Sequence, residues 1–213
     1  MCLPYDKINI KGISRLDWLK LRQTGIGGSD APVICGVDDY KTIDGLIEDK
    51  LAQTFDDTPN LACRHGTHCE PLVAELFTEA SGLQVQRSNF MYRSKGYPFM
   101  LANIDRKIIG QNAGLECKTA NAFFRNKYSK SCLVPANDDG DCPFPYKYYI
   151  QALHYLAVTG WDKWYLAVLI GNMQFEWYEI ERDERNIQFL IEQEINFHET
   201  LQNERKQRSV KHA

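Results

Sequence analysis

From Met100 to Ala120 the chain reads MLANIDRKIIGQNAGLECKTA, two β-type runs separated by Gln111-Asn112 with a glycine on each side. That pattern predicts two antiparallel strands, and a sheet of this apolarity needs helices to cover it. Side chains alternate across a strand, so Glu116 and Lys118 share a face while Cys117 turns away. Asp105 lies on the preceding run, and the turn can bring it back towards Glu116. Two carboxylates and one ammonium are thereby expected in a single cluster.

The flanking sequence supplies the cover. SRLDWLKLRQ, residues 14–23, predicts a short helix capped by Ser14, with Asp17 three residues on. GIGGSDAPVICG follows as a glycine loop, where Ser29 and Asp30 are good N-caps and Pro32 suits a first helical turn. A second helix is expected there and another from Thr42 to Leu51. EPLVAELFTEASG carries Leu72, Val73, Leu76 and Phe77 at helical spacing and stops at Gly82, which sets Glu70 within about one turn of the helix start. Short β-type runs occupy Gln84 to Thr119. PYKYYIQALHYLAVTG reads as a helix, KWYLAVLIG and MQFEWYEIE as a hairpin about Gly171-Asn172, and Asp183 to about Lys206 as a charged amphipathic helix. The order predicts an α/β or α+β fold, a mixed sheet with helical cover. At 213 residues, one domain over 1–213 is expected.

Composition narrows the function classes. No run approaches the roughly 18 apolar residues of a membrane span, and MCLPYDKINIKG lacks the apolar core of a secretory signal, so a cytoplasmic protein without membrane contact is expected. Seven cysteines without a CxxC pair predict reduced thiols, neither a disulfide framework nor a zinc ribbon. A net charge of −3 argues at first against a polyanionic partner. Its distribution reverses the inference: Val85 to Lys130 holds nine basic residues against Asp105 and Glu116, a net of +7 on an acidic remainder.

Carboxylates spaced in this way suit Mg²⁺, which prefers oxygen ligands and keeps waters and substrate phosphates. Phosphodiester hydrolysis uses such a metal together with a nearby cation. Taken alone, Glu-x-Lys on a strand is common and reads as a solvated ion pair on a sheet face.

The series IDR…LECK, with RHGTHCEP upstream and QALHY downstream, resembles the PD-(D/E)XK nuclease superfamily. More narrowly, it is similar to the YqaJ-type viral recombinases related to phage lambda exonuclease, across roughly Arg15 to Trp164. The resemblance implies a restriction-endonuclease-like mixed central sheet flanked by helices. It implies catalytic roles for Asp105, Glu116 and Lys118, metal ligation by Asp105, Glu116 and the Cys117 carbonyl, and support of a second metal by Glu70. Glu70 also reads as a charge favourable to a helix N-terminus. Asn103 and Ile104 precede Asp105, where the family's name places a proline.

Gln151 and Tyr155 lie four apart on one helix, so both can face one site. The resemblance turns them towards the acids; otherwise they are a surface Gln and a core-edge Tyr. Arg22 and Ser29, seven apart across the glycine loop, resemble the family's pocket for a DNA-end phosphate, and an Arg fork beside a hydroxyl suits an anion. The other reading is an ordinary cap beside an exposed arginine. Phe123, Phe124, Arg125, Lys127 and Tyr128 form an aromatic and basic segment, with Arg125 expected to face DNA. His65 and His68 are expected to be structural or solvent-facing.

By this resemblance the chain is a Mg²⁺-dependent exodeoxyribonuclease with two ions per site, Mn²⁺ able to substitute. It would digest linear duplex DNA from 5′ to 3′ and leave 3′ single-stranded tails for phage recombination. A homotrimer and a single-strand annealing partner are implied. The alternatives are an endonuclease of restriction or repair type and a non-catalytic DNA-binding protein of the same fold.

Overall fold

The computed structural model of the chain describes residues 3–54, 58–120, 144–171 and 173–211. Its strands divide between two sheets. One runs β1 (Tyr5–Asn9), β4 (Phe90–Ser94), β5 (Met100–Asn103), β2 (Ile26–Gly27). The other runs β3 (Val85–Arg87), β6 (Arg106–Ile108), β7 (Ala113–Ala120), β8 (Lys163–Ile170), β9 (Gln174–Glu181). Both are mixed: β2 joins β5 in parallel and β7 joins β8 in parallel, while the other pairs are antiparallel. A parallel pair needs a crossover, and α5 (Tyr146–Thr159) lies in the one between β7 and β8.

Strand β8 is buried along nearly its whole length because helices cover both faces. Tyr165, Ala167 and Leu169 pack with Val73, Ala74 and Phe77 of α4 (Leu61–Ser81). Leu166, Val168 and Ile170 turn the other way, towards Leu153 and Leu156 of α5 and Ile187 and Leu190 of α6 (Glu184–Lys211). Farther along α6, Phe197 and Leu201 close a third cluster over Ile26, Val33, Ile34 and Leu46. Leu46 belongs to α3 (Ile43–Leu51), which follows α1 (Arg15–Gln23) and the four-residue α2 (Ala31–Ile34). The α/β fold with helical cover stands as expected from the sequence.

Three local expectations are corrected. The run from Met100 to Gly110 is two strands, in different sheets: β5 pairs with β4, and β6 pairs with β7 only as far as Arg106 opposite Leu115. Beyond that pair the Cys117 N–H donates to Asp105 Oδ2 at 2.8 Å, so a carboxylate replaces the next ladder partner. Helix α4 begins at Leu61, where the Asn60 side chain accepts from the Cys63 N–H at 2.8 Å. Glu70 is therefore deep within the helix, beyond the first turn where the macrodipole acts, and Pro71 is an interior proline. Asp30, in turn, does not cap α2 with its side chain. It accepts instead from the Gly27 N–H at 2.8 Å and pairs with Lys50, a local bond that a capping residue forms equally well.

Strand β1 lies at a sheet edge, and only its Tyr5 is buried. Ser14 caps α1 as expected, accepting from the Asp17 N–H at 3.1 Å.

Candidate active site

A cavity of about 210 Å³ opens where the two sheets meet, and Arg22, Ser29, Asp105, Glu116, Lys118, Gln151 and Tyr155 all line it. Strand alternation delivers two of them. Leu115 and Cys117 face the α4 side, which turns Glu116 and Lys118 towards α5. Lys118 Nζ donates to Glu116 Oε1 at 2.6 Å, with side-chain exposures of 25% and 9%. That burial removes the reading of a solvated surface pair. Asp105 joins them from the break between β5 and β6.

Helix α5 adds the next shell. Gln151 Nε2 donates to Glu116 Oε1 and to the Tyr155 hydroxyl, both at 2.7 Å. Gln151 is buried, so it is not the surface glutamine that spacing alone allows. Tyr155 lies against Gly28, where an added Cβ would sit 2.5 Å from the ring. The glycine loop and the carboxylates are thus in contact through two side chains of one helix.

Across the cavity, Arg22 Nη2 donates to Ser29 Oγ at 2.6 Å, and its guanidinium lies over the Trp18 ring at 4.8 Å. Trp18 and Asn103 also line the cavity. Sequence reasoning assigned neither to a site; the spacing of Trp18 four residues before Arg22 on α1 was the available signal. Lys50 was missed as well, because a lysine in a helical run reads as surface, whereas this one is 7% exposed behind the glycine loop.

Glu70 does not line the cavity. Its carboxylate is held by Arg106, whose Nη1 also donates to the Asp105 carbonyl at 2.9 Å. His65 and His68 contact Cys69 and the Arg64 carbonyl within α4, away from the cavity. Arg125 and its aromatic neighbours lie outside the described residues.

The electrostatics are those of a site short of positive charge. Burial pushes the Asp105 pKa well above the usual carboxylate range, and repulsion from Glu116 adds to it. Burial pulls the Lys118 ammonium down, but Glu116 and Asp105 outweigh it and hold its pKa above the ordinary lysine value. Glu116 Oε2 is buried without a hydrogen-bond partner. Among the described residues no cluster of three or more His, Cys, Asp or Glu side chains surrounds one point. Two carboxylates, one with an orphaned oxygen, nevertheless fit a hard cation that completes its shell with carbonyl, water and phosphate oxygens.

Residues 17–162 match the YqaJ-like viral recombinase domain. The chain belongs to the YqaJ-like viral recombinase family. This YqaJ-like chain is 39% identical over 188 residues to the uncharacterized protein YqaJ of Bacillus subtilis (strain 168), a match covering 87% of the chain and 56% of that protein. It therefore spans little more than half the length of the curated relative. Among solved structures, the fold resembles the alkaline exonuclease LHK-Exo of Laribacter hongkongensis, with TM-score 0.70 at 18% identity over 93% of this chain and 100% of that one. It also resembles a phage-related exonuclease of Haemophilus somnus 129PT, with TM-score 0.63 at 12% identity over 90% and 99%. At such identities the likeness establishes the restriction-endonuclease-like fold. Among the described residues no helix is long and apolar enough to cross a membrane.

Proposed function

We propose that this chain is a Mg²⁺-dependent deoxyribonuclease that digests linear duplex DNA from a 5′-phosphorylated end, 5′ to 3′, leaving 3′ single-stranded tails. The observation carrying this reading is that an arginine–serine pair suited to a terminal phosphate and the Asp105–Glu116 carboxylates line one cavity. An end phosphate and the linkage to be cut are then held together, which favours an exonuclease over an endonuclease. Crystals of LHK-Exo with dAMP lend support by fold analogy.

Asp105, Glu116 and the Cys117 carbonyl would hold the metal, and Mn²⁺ would substitute. A bound Mg²⁺ supplies charge to polarise the phosphoryl oxygen and to acidify a water. Lys118 Nζ, kept protonated by the carboxylates, donates to the attacking water or the developing phosphoryl charge. Gln151 fixes the rotamer of Glu116, and Tyr155 fixes Gln151. Glu70 would support a second ion only after parting from Arg106. Arg125 would contact DNA. A homotrimer around DNA, a single-strand annealing partner and a cytoplasmic setting complete the proposal.

The test is a time course on a duplex with one 5′-phosphorylated end, with Mg²⁺ and with chelator, beside a closed circular duplex. Loss of the phosphorylated strand from its 5′ end, only with metal and only on linear DNA, is expected. Cleavage of the circle would favour the endonuclease reading.

A further inference from the structure

The turn that leads from Arg22, at the end of α1, to Ser29 is gathered around one buried ammonium. Lys50 Nζ, from α3, donates to the Gly25 carbonyl at 2.6 Å and to the Arg22 carbonyl at 3.3 Å. It also pairs with Asp30 Oδ2 at 2.6 Å, with side-chain exposures of 7% and 11%. The same Oδ2 accepts from the Gly27 N–H. The three protons of the ammonium therefore have three acceptors, on both sides of the turn, and Asp30 adjoins Ser29. A buried ion pair is costly to desolvate and weak evidence for stability, so its placement calls for another account. Here it fixes the two ends of the segment whose side chains meet as Arg22 Nη2 and Ser29 Oγ.

We infer that Lys50 and Asp30 are positioning residues for the end-phosphate pocket and that they set the selectivity for a 5′-phosphorylated over a 5′-hydroxyl end. This rests on the nuclease reading above. Neither side chain lines the cavity. Both act through Arg22 and Ser29: the ammonium fixes the Arg22 and Gly25 carbonyls, and the carboxylate fixes Gly27, whose neighbour Gly28 abuts Tyr155. Without the clamp, the guanidinium and hydroxyl lose their common geometry towards a dianionic phosphate, while Asp105, Glu116 and Lys118 keep theirs. The expected signature is lost discrimination between ends with hydrolysis intact.

The experiment uses the full chain and two duplexes differing only in a 5′-phosphate or 5′-hydroxyl at the digested end. Steady-state kinetics are run in Mg²⁺, and affinities are measured by fluorescence anisotropy in Ca²⁺. The variants are Lys50→Met, Lys50→Arg and the double variant Lys50→Met with Asp30→Asn, which leaves no buried charge unpaired. Loss of one charge-assisted contact should lower the preference for the phosphorylated end by roughly tenfold, in KM and in Ca²⁺ affinity, with the hydroxyl-end rate within about twofold. Lys50→Arg should recover part of the preference. Equal losses on both ends, or an undiminished preference in the well-folded double variant, overturn the positioning role. Wild-type hydrolysis with no preference for the phosphate also overturns it, and locates the failure in the end pocket; absence of any hydrolysis locates it in the nuclease reading.

Discussion

Gly28→Ala tests the contact between the glycine loop and α5. The backbone at Gly28 needs no left-handed conformation, so the constraint is one of space. An added Cβ would lie 2.5 Å from Tyr155 Cε1 and 2.6 Å from Cζ, against roughly 3.5 to 4.0 Å for comfortable carbon contact. About 1 Å of relief must come from the tyrosine or from the loop. The ring is 4% exposed and backed by Trp164 at a centroid distance of 4.7 Å, so it has little room to retreat. Overpacking of this kind costs about 1–3 kcal/mol. Moving Tyr155 also strains the Gln151 bond to Glu116, and a misplacement near 1 Å at reacting groups costs about a hundredfold in rate. Urea unfolding and initial hydrolysis rates on a 5′-phosphorylated duplex measure the two effects. In a Tyr155→Ala background the added methyl should become nearly neutral, within about 0.5 kcal/mol, because the clash is gone. Unchanged stability and rate for the single variant, or an undiminished penalty in the double variant, would refute the reasoning.

Further outcomes are expected. Asp105→Asn should lower hydrolysis by roughly a thousandfold, about 4 kcal/mol, with DNA affinity by anisotropy retained or raised. Calorimetry of the DNA-free chain should find one Mg²⁺ site, and Arg106→Gln, which frees Glu70, should add a second, weaker one. Burial pulls the His154 pKa down, but the Glu194 carboxylate 2.7 Å away outweighs it and raises it above its ordinary 6.5. From about 6.5 up to that raised value the folded chain holds the extra proton, so stability is full below the window and falls as pH rises through it. Melting temperatures between pH 6 and 10 should show this decline, and His154→Gln should flatten it.

Much of the site could be read in the sequence because strand alternation and helical spacing are local rules. Glu116 with Lys118, and Gln151 with Tyr155, needed only those periods to share a face. The break at Asp105 was not legible, since NIDRK continues an acceptable strand and only the bond from the Cys117 N–H ends one ladder and begins another. The start of α4 was hidden in the polar run LACRHGTHC, whose hydrophobic signal is weak although Asn60 caps it. Asp30 has the chemistry of a helix cap, and its true partner, Lys50, lies on a separate helix. Pairings made by tertiary packing leave no mark at fixed spacing.

The division of the Met100–Gly110 run seats the two acids proposed to hold the metal in different ways. Glu116 is fixed by the ladder of β7 with β8, whereas Asp105 hangs in the two-residue span between β5 and β6, steered by one backbone N–H. In the proposed nuclease, the spacing between the two carboxylates would be set by that single hydrogen bond and not by strand pairing alone.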